Sequence, residues 1–279
     1  MPIQAALQRI HLFSPQPEAI ARFYQATYAM TATPHTDSWL CHATGRELGV
    51  SNGPANQLAY ALYRFATTSA FQQFAQRLAA RAGALPDSYG QVGGSTASAT
   101  LSLTDPDGNA LVFAAPGPAA AATATDTPPA TLQHFALRTH QIDAMVAFYA
   151  DVLGFVVSDR VYKPDGSLSA AFLRTDTLHH SLALFGAPQG GFDHQSYETG
   201  TWDDLKTWAD RTGRLRTVIE WGIGRHGPGN DVFFMVRDPD GNLAEISAEI
   251  EVCAEDRPTG IWPHEEWTLN QWGKAIMRS

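Results

Sequence analysis

Asp105-Pro106-Asp107-Gly108-Asn109 and Asp238-Pro239-Asp240-Gly241-Asn242 are two copies of one turn, and their recurrence decides how the chain divides. Proline presets its own φ and glycine accepts a positive one, so each copy is expected to join two alternating strands as a hairpin. The copies are 133 residues apart (105 to 238). A second pair, Ala19-Ile20-Ala21-Arg22-Phe23-Tyr24 and Ala144-Met145-Val146-Ala147-Phe148-Tyr149, is offset by 125 residues (23 to 148). Residues 7–115 and 132–250 therefore read as two versions of one pattern. Between them Ala114-Ala115-Pro116-Gly117-Pro118 leads into an Ala/Thr tract ending at Pro128-Pro129, too proline-rich for a helix or central strand. The expected plan is an N-terminal domain over 1–115, a linker over 116–130, a second domain over 131–250 and a tail over 251–279.

Within each half the periodicity suggests one smaller unit used twice, a strand and a helix followed by about three strands, which makes the class α+β. Met145, Phe148, Tyr149 and Val152 fall at i, i+3, i+4 and i+7, as do Phe71, Phe74, Ala75 and Leu78, so each set lines one helical face against a sheet. Thr201-Trp202-Asp203-Asp204 and Ser69-Ala70-Phe71-Gln72 resemble capping boxes and mark the second helix of each half.

A chain of 279 residues that is 44% hydrophobic can bury one large core or two ordinary ones. Its net charge of -9 argues against nucleic acid or an anionic membrane surface as partner, since nothing basic is clustered enough to neutralise phosphates. Small molecules fit better. Cys41 and Cys253 have no disulfide-framework or metal-like spacing, which suits a reducing cytoplasm. No basic region precedes an apolar run at the N-terminus and no segment approaches a membrane span, so a soluble, unprocessed protein is expected.

Strand alternation puts Leu132, His134 and Ala136 on one face, and Leu243, Glu245 and Ser247 on another, both facing the core. An ionised carboxylate there costs several kcal/mol unless something positive compensates it. His134, His194 and Glu245, on three separate expected strands, would form a 2-His-1-carboxylate set that leaves one side of a metal open. The residues alone leave another account open: a hydrogen-bonded core histidine, a loop histidine and a glutamate paired with arginine.

Three stretches are more specific: His179-His180-Ser181-Leu182-Ala183-Leu184-Phe185, Gly224-Arg225-His226-Gly227, and Phe233-Phe234-Met235-Val236-Arg237 running through the second turn to Leu243-Ala244-Glu245. With them the chain resembles the type I extradiol ring-cleavage dioxygenases of the vicinal oxygen chelate superfamily, which includes glyoxalase I and bleomycin-resistance proteins. The resemblance implies two tandem domains, each a pair of βαβββ modules forming a cup-like sheet with helices outside. It makes His134, His194 and Glu245 ligands of Fe(II), with Mn(II) compatible. It makes His180 the acid and base beside bound oxygen, and His226 the histidine that hydrogen-bonds the substrate's hydroxyl region. Substrates would be a small aromatic diol and O2, and members of the family commonly form homo-oligomers.

The chain departs from the family at Met235, where many members carry a tyrosine, so one hydrogen bond to substrate is absent or supplied by another group. Aligning the halves sets Arg9 opposite His134 and Val112 opposite Glu245, so the first half is expected to bind no metal. His264, in the tail, is a candidate for a lid but fits surface packing better. Trp221, Phe234 and Trp262 are aromatic candidates for a pocket wall. Two other readings stay open: an isomerase, lyase or glyoxalase-like enzyme using another divalent metal, and a metal-free module that sequesters a planar aromatic compound.

Overall fold

The structure, a computed structural model, describes residues 2–81, 100–117 and 127–278. Most of the expected linker, 118–126, lies outside the described residues. In the first half β1 (Ala5–Ser14), α1 (Pro17–Thr27), β2 (Thr31–Pro34), β3 (Ser38–Ala43) and β4 (Arg46–Asn52) form one module. β5 (Gln57–Phe65), α2 (Thr68–Arg81), β6 (Thr100–Thr104) and β7 (Ala110–Ala114) follow, with two strands after the helix among the described residues rather than three. The second half repeats the plan in full: β8 (Ala130–Thr139), α3 (Ile142–Ala147), β9 (Val156–Tyr162), β10 (Leu168–Arg174) and β11 (Leu182–Gly186), then β12 (Gly191–Thr199), α4 (Trp202–Arg214), β13 (Ile219–Arg225), β14 (Val232–Arg237) and β15 (Leu243–Ala248). The tail adds β16 (Gly260–Pro263) and α5 (Glu266–Leu269).

The strand orders, β2-β3-β4-β1-β5-β7-β6 and β13-β14-β15-β12-β8-β11-β10-β9-β16, are the same arrangement apart from the edge strands β13 and β16, which have no counterpart among the described residues of the first half. In each half the first strand of each module lies parallel to its last (β1 with β4, β5 with β7, β8 with β11, β12 with β15). The two modules join through an antiparallel pair of first strands, β1 with β5 and β8 with β12. Both Asp-Pro-Asp-Gly turns close antiparallel hairpins as expected.

Local details differ from the sequence reading. Thr201 does cap α4, its hydroxyl accepting from the Asp204 amide at 3.2 Å. In α2 the cap is Thr67, which accepts from Ala70 N at 3.1 Å, two residues ahead of the expected Ser69. After Ala147 the α3 path widens into a π-helical turn, Phe148–Leu153, that keeps Phe148 and Tyr149 buried but leaves Val152 half-buried.

Alternation along β8 also fails at one place. Its register against β12 skips Gln133, a β-bulge, so Leu132 packs in the main core with Phe135 while Gln133 and His134 both turn to the cup. The equivalent residue of the first half, Gln8, is skipped in the same way between β1 and β5.

The turns do more than close hairpins. Gln141, at the start of α3, donates to Asp107 Oδ1 at 2.6 Å and to Pro106 O at 3.0 Å across the interface. Gln16, at the start of α1, reciprocally donates to Asp240 Oδ1 at 2.9 Å and to Pro239 O at 3.1 Å. Each half thus clasps the other's turn, and one continuous apolar core joins them. Tyr149 completes the clasp, its hydroxyl donating at 2.9 Å to Asp105 Oδ2, a buried carboxyl that also takes the Asn109 amide at 2.8 Å. Among the described residues no helix is long and apolar enough to cross a membrane.

Tyr149→Phe keeps the ring packing and deletes only this bond to a buried acid, so it should cost about 1–3 kcal/mol in urea unfolding. A loss under about 0.3 kcal/mol would show that the clasp is held by packing alone.

Candidate metal centre

The donors come from the inner strands. β8 supplies His134, β12 supplies His194 and β15 supplies Glu245, and parallel pairing of β12 with β15 and antiparallel pairing with β8 bring all three to the cup floor. His134 Nε2 lies 3.1 Å from His194 Nε2. Glu245 Oε2 is 3.9 Å from the first and 3.6 Å from the second. Donors sharing one ion at about 2.1 Å sit roughly 3–4 Å apart, so the set fits a divalent metal.

The ring nitrogens on the far side are already committed. His194 Nδ1 donates to Asp193 Oδ1 at 2.7 Å, and His134 Nδ1 donates to Gln133 Oε1. Each partner is the residue skipped by a β-bulge immediately before its histidine, since β12 skips Asp193 in its register with β8. With hydrogen fixed on Nδ1, both Nε2 atoms face inward as bare lone pairs. Neither oxygen of Glu245 has a hydrogen-bond partner, and the residue is 0% exposed. Three acceptors therefore converge with no donor among them, which is the arrangement a cation satisfies.

The electrostatics agree with that. Burial, with added repulsion from Asp231 and Glu198, pushes the Glu245 carboxyl well above the ordinary range. Burial depresses His134 well below its usual value and lowers His194 less, because Asp193 opposes the shift. Burial works against ionisation of Asp193 too, but Arg278 at 2.8 Å and His194 outweigh it and hold the carboxyl far below the carboxylate range.

His180 and His226 flank this centre. The His180 ring centroid is 4.3 Å from that of His134. His226 stacks flat on Phe233 at 3.7 Å and donates from Nδ1 to Leu269 O at 2.5 Å, leaving Nε2 3.9 Å from Glu245 Oε1. Burial pushes the His226 imidazole down to about 3, so it is neutral at pH 7 with Nε2 as an acceptor. Phe172, Phe185, Trp221, Met235, Leu269 and Arg278 wall the space above. Phe234, a sequence candidate for this wall, packs instead in the main core, and Trp262 packs against the cluster of wall residues and Trp267 without lining the chamber. His264 bonds Ser169 Oγ at 2.6 Å at the end of β16, outside the wall.

Sequence reasoning missed the supports, Gln133, Asp193 and Arg278, and a fully buried Asp231 whose carboxyl has no hydrogen-bond partner. Their signal was adjacency: two of them immediately precede His134 and His194. Among the described residues the first half gathers no donor cluster. Arg9, at the position equivalent to His134, is paired with Glu47 at 2.6 Å.

Burial raises the Glu245 carboxyl's affinity for a proton, and a metal takes the ionised form, so proton and metal compete for this group. Metal affinity should therefore fall as pH falls, and loading at low pH should release protons. Calorimetric titration with Mn(II) in two buffers of different ionisation enthalpy measures this; uptake without proton release would contradict the assignment of Glu245 as a ligand.

The family model of the Glyoxalase/Bleomycin resistance protein/Dioxygenase superfamily matches residues 131–246. Metapyrocatechase 2 of Cupriavidus necator is 30% identical over 150 residues, 53% of this chain and 46% of that protein, so the match spans about half the relative's length. Biphenyl-2,3-diol 1,2-dioxygenase 3 of Rhodococcus globerulus is 32% identical over 154 residues, 52% of this chain and 76% of that protein. Homoprotocatechuate 2,3-dioxygenase of Brevibacterium fuscum superposes with a TM-score of 0.75 at 20% identity, over 98% of this chain and 89% of that one, which establishes a common fold. With the cup and its duplicated modules, the chain belongs to the Glyoxalase/Bleomycin resistance protein/Dioxygenase superfamily.

Proposed function

We propose that this protein is a metal-dependent extradiol dioxygenase that opens a catechol ring beside its two hydroxyls with dioxygen, giving a semialdehyde-type product. The observation that carries the reading is the orphaned Glu245 carboxylate facing two imidazole lone pairs on the floor of an aromatic-walled chamber. His134, His194 and Glu245 are the proposed ligands, and residues 131–250 the catalytic domain. Residues 1–115 act as the duplicated scaffold, 116–130 join the two, and the tail from 251 packs over the cup. When bound, Fe(II), with Mn(II) compatible, supplies adjacent positions that hold a deprotonated diol and dioxygen together.

The chain's own groups do the rest. Phe172, Phe185 and Trp221 pack on the planar ring and keep water away from it. His226, neutral and fixed from behind by the Leu269 carbonyl, accepts a hydrogen bond from a substrate hydroxyl at Nε2. His180, above His134, takes a hydroxyl proton and later returns it. At Met235 the wall is apolar, so no phenol contributes a hydrogen bond at that point.

Anaerobic reconstitution with Fe(II), addition of catechol and admission of air should consume oxygen and yield a yellow product. Metal-dependent turnover without oxygen uptake would favour an isomerase or lyase instead, and binding without turnover a sequestering protein. His180→Ala should retain bound metal while lowering kcat by about 10²–10⁴-fold, the usual contribution of a positioned acid–base group. Full activity in that variant would remove His180 from the mechanism.

A further inference from the structure

Behind His180 lies a second buried histidine that the proposed chemistry does not use. His179 is 0% exposed, and its Nδ1 is 3.0 Å from His180 Nδ1. The other side of the His179 ring faces Asp159, Nε2 to Oδ2 at 3.1 Å, an ion-pair contact too bent for a full hydrogen bond. Asp159 is itself 0% exposed. It accepts from Trp262 Nε1 at 2.7 Å, from Arg257 Nη1 at 2.9 Å and from Gly260 N at 3.1 Å. Three groups thus stand in line from the tail to the chamber: Asp159, His179, His180.

Hydrogen bookkeeping along this line leaves few choices. A carboxylate only accepts, so His179 carries hydrogen on Nε2 toward Asp159. If His179 is neutral, its Nδ1 is an acceptor, and the hydrogen between the two rings belongs to His180 Nδ1. The His180 Nε2 atom is then bare and faces the chamber as a base. A proton taken there would make an imidazolium whose ring is 4.3 Å from that of His134, a proposed ligand of a dication. Moving the Nδ1 hydrogen across 3.0 Å to His179 removes that charge from the metal's neighbour and places it beside Asp159.

We propose that His179 and Asp159 are positioning residues that fix His180 as the Nδ1–H tautomer and receive the proton's charge during turnover. This rests on His180 being the acid–base group. In the forward step the substrate O–H bond breaks and an N–H bond forms at His180 Nε2. The His180 Nδ1–H bond then breaks, one forms at His179 Nδ1, and the charge rests in the His179–Asp159 pair. The reverse sequence returns the proton, so none is gained or lost and no electron moves.

The test reads the tautomer directly, in metal-free protein labelled with 15N in its histidines. The His180 resonances of the wild type should show hydrogen on Nδ1 and a bare Nε2; hydrogen on Nε2 instead would overturn the proposal whatever the enzyme's activity. His179→Gln can still accept from His180 Nδ1 but cannot hold the proton. It should keep the His180 tautomer and the metal content, with kcat about 10²-fold lower and KM for catechol within about threefold. A kcat within twofold of wild type would sink the relay. Asp159→Asn should lower kcat at least as far. Trp262→Phe, which breaks the tail's bond to the same carboxylate but leaves the histidine pair in place, should retain the tautomer and most of kcat. If Trp262→Phe lost as much as Asp159→Asn, the carboxylate would be an anchor for the tail and nothing more. Absence of ring cleavage in the wild type would fail the dioxygenase reading, while the tautomer measurement would still decide the inference.

Discussion

A carboxylate without exposed surface and without a hydrogen-bond partner is a cost that a fold must offset, and Glu245 is such a group. Replacing it would be easy were it only structural, because apolar β-strand neighbours surround it on Leu243-Ala244 and Ile246. Two imidazole lone pairs directed at the same point add to the cost rather than relieve it. Three such groups in one place are stable together only around positive charge, and much of the surrounding architecture holds them there. The sheet sets their spacing, and the neighbouring polar groups set which nitrogen of each histidine faces inward.

The bulges explain how strands deliver that geometry. A regular strand sends neighbouring side chains to opposite faces, so a histidine and the residue before it could not meet on one side. Skipping Gln133 in β8 and Asp193 in β12 turns each onto the cup face beside its histidine, where it engages Nδ1. Gln133 also donates to the His180 backbone carbonyl, so one side chain links His134 to His180. The skip at Gln8 shows that this irregularity belongs to the repeated unit. In the first half the same place holds an arginine–glutamate pair, which neutralises itself and needs no ion.

This also accounts for what could be read from the sequence. The donor set was singled out only by the resemblance of three stretches to a known family, whereas the duplication and the hairpin turns rest on side-chain identity and on periodicity, which survive in one dimension. The bulges do not, because one extra residue in a strand looks like any other. Alternation accordingly placed His134 correctly and Leu132 on the wrong face, and it gave Gln133 no role. The cap at Thr67 was hidden by an equally good hydroxyl two residues on, at Ser69. Gln16 and Gln141 carried no recognisable signal, since their partners are turns more than 30 residues away in Gln141 and more than 200 in Gln16.

The tail was the least readable part, and it stands behind His194, His226 and His179, though not His134, whose Nδ1 is held by Gln133 of β8. Arg278 bonds Asp193, which holds His194; the Leu269 carbonyl holds His226; Trp262 and Arg257 hold Asp159, which faces His179 and, through it, His180. Arg278 further lies over Phe185 and Trp221 at 5.0 and 4.9 Å, so the residue that neutralises Asp193 also closes the chamber wall. Wall and ring orientation therefore share the same contacts. Displacing the tail would at once open the chamber, take Arg278 away from Asp193 and release the carbonyl that fixes His226. Strands alone place His134, His194 and Glu245 and supply the Nδ1 partners of the two histidines, while the segment folded back from beyond β15 adds the charge behind His194 and the acceptor behind His226.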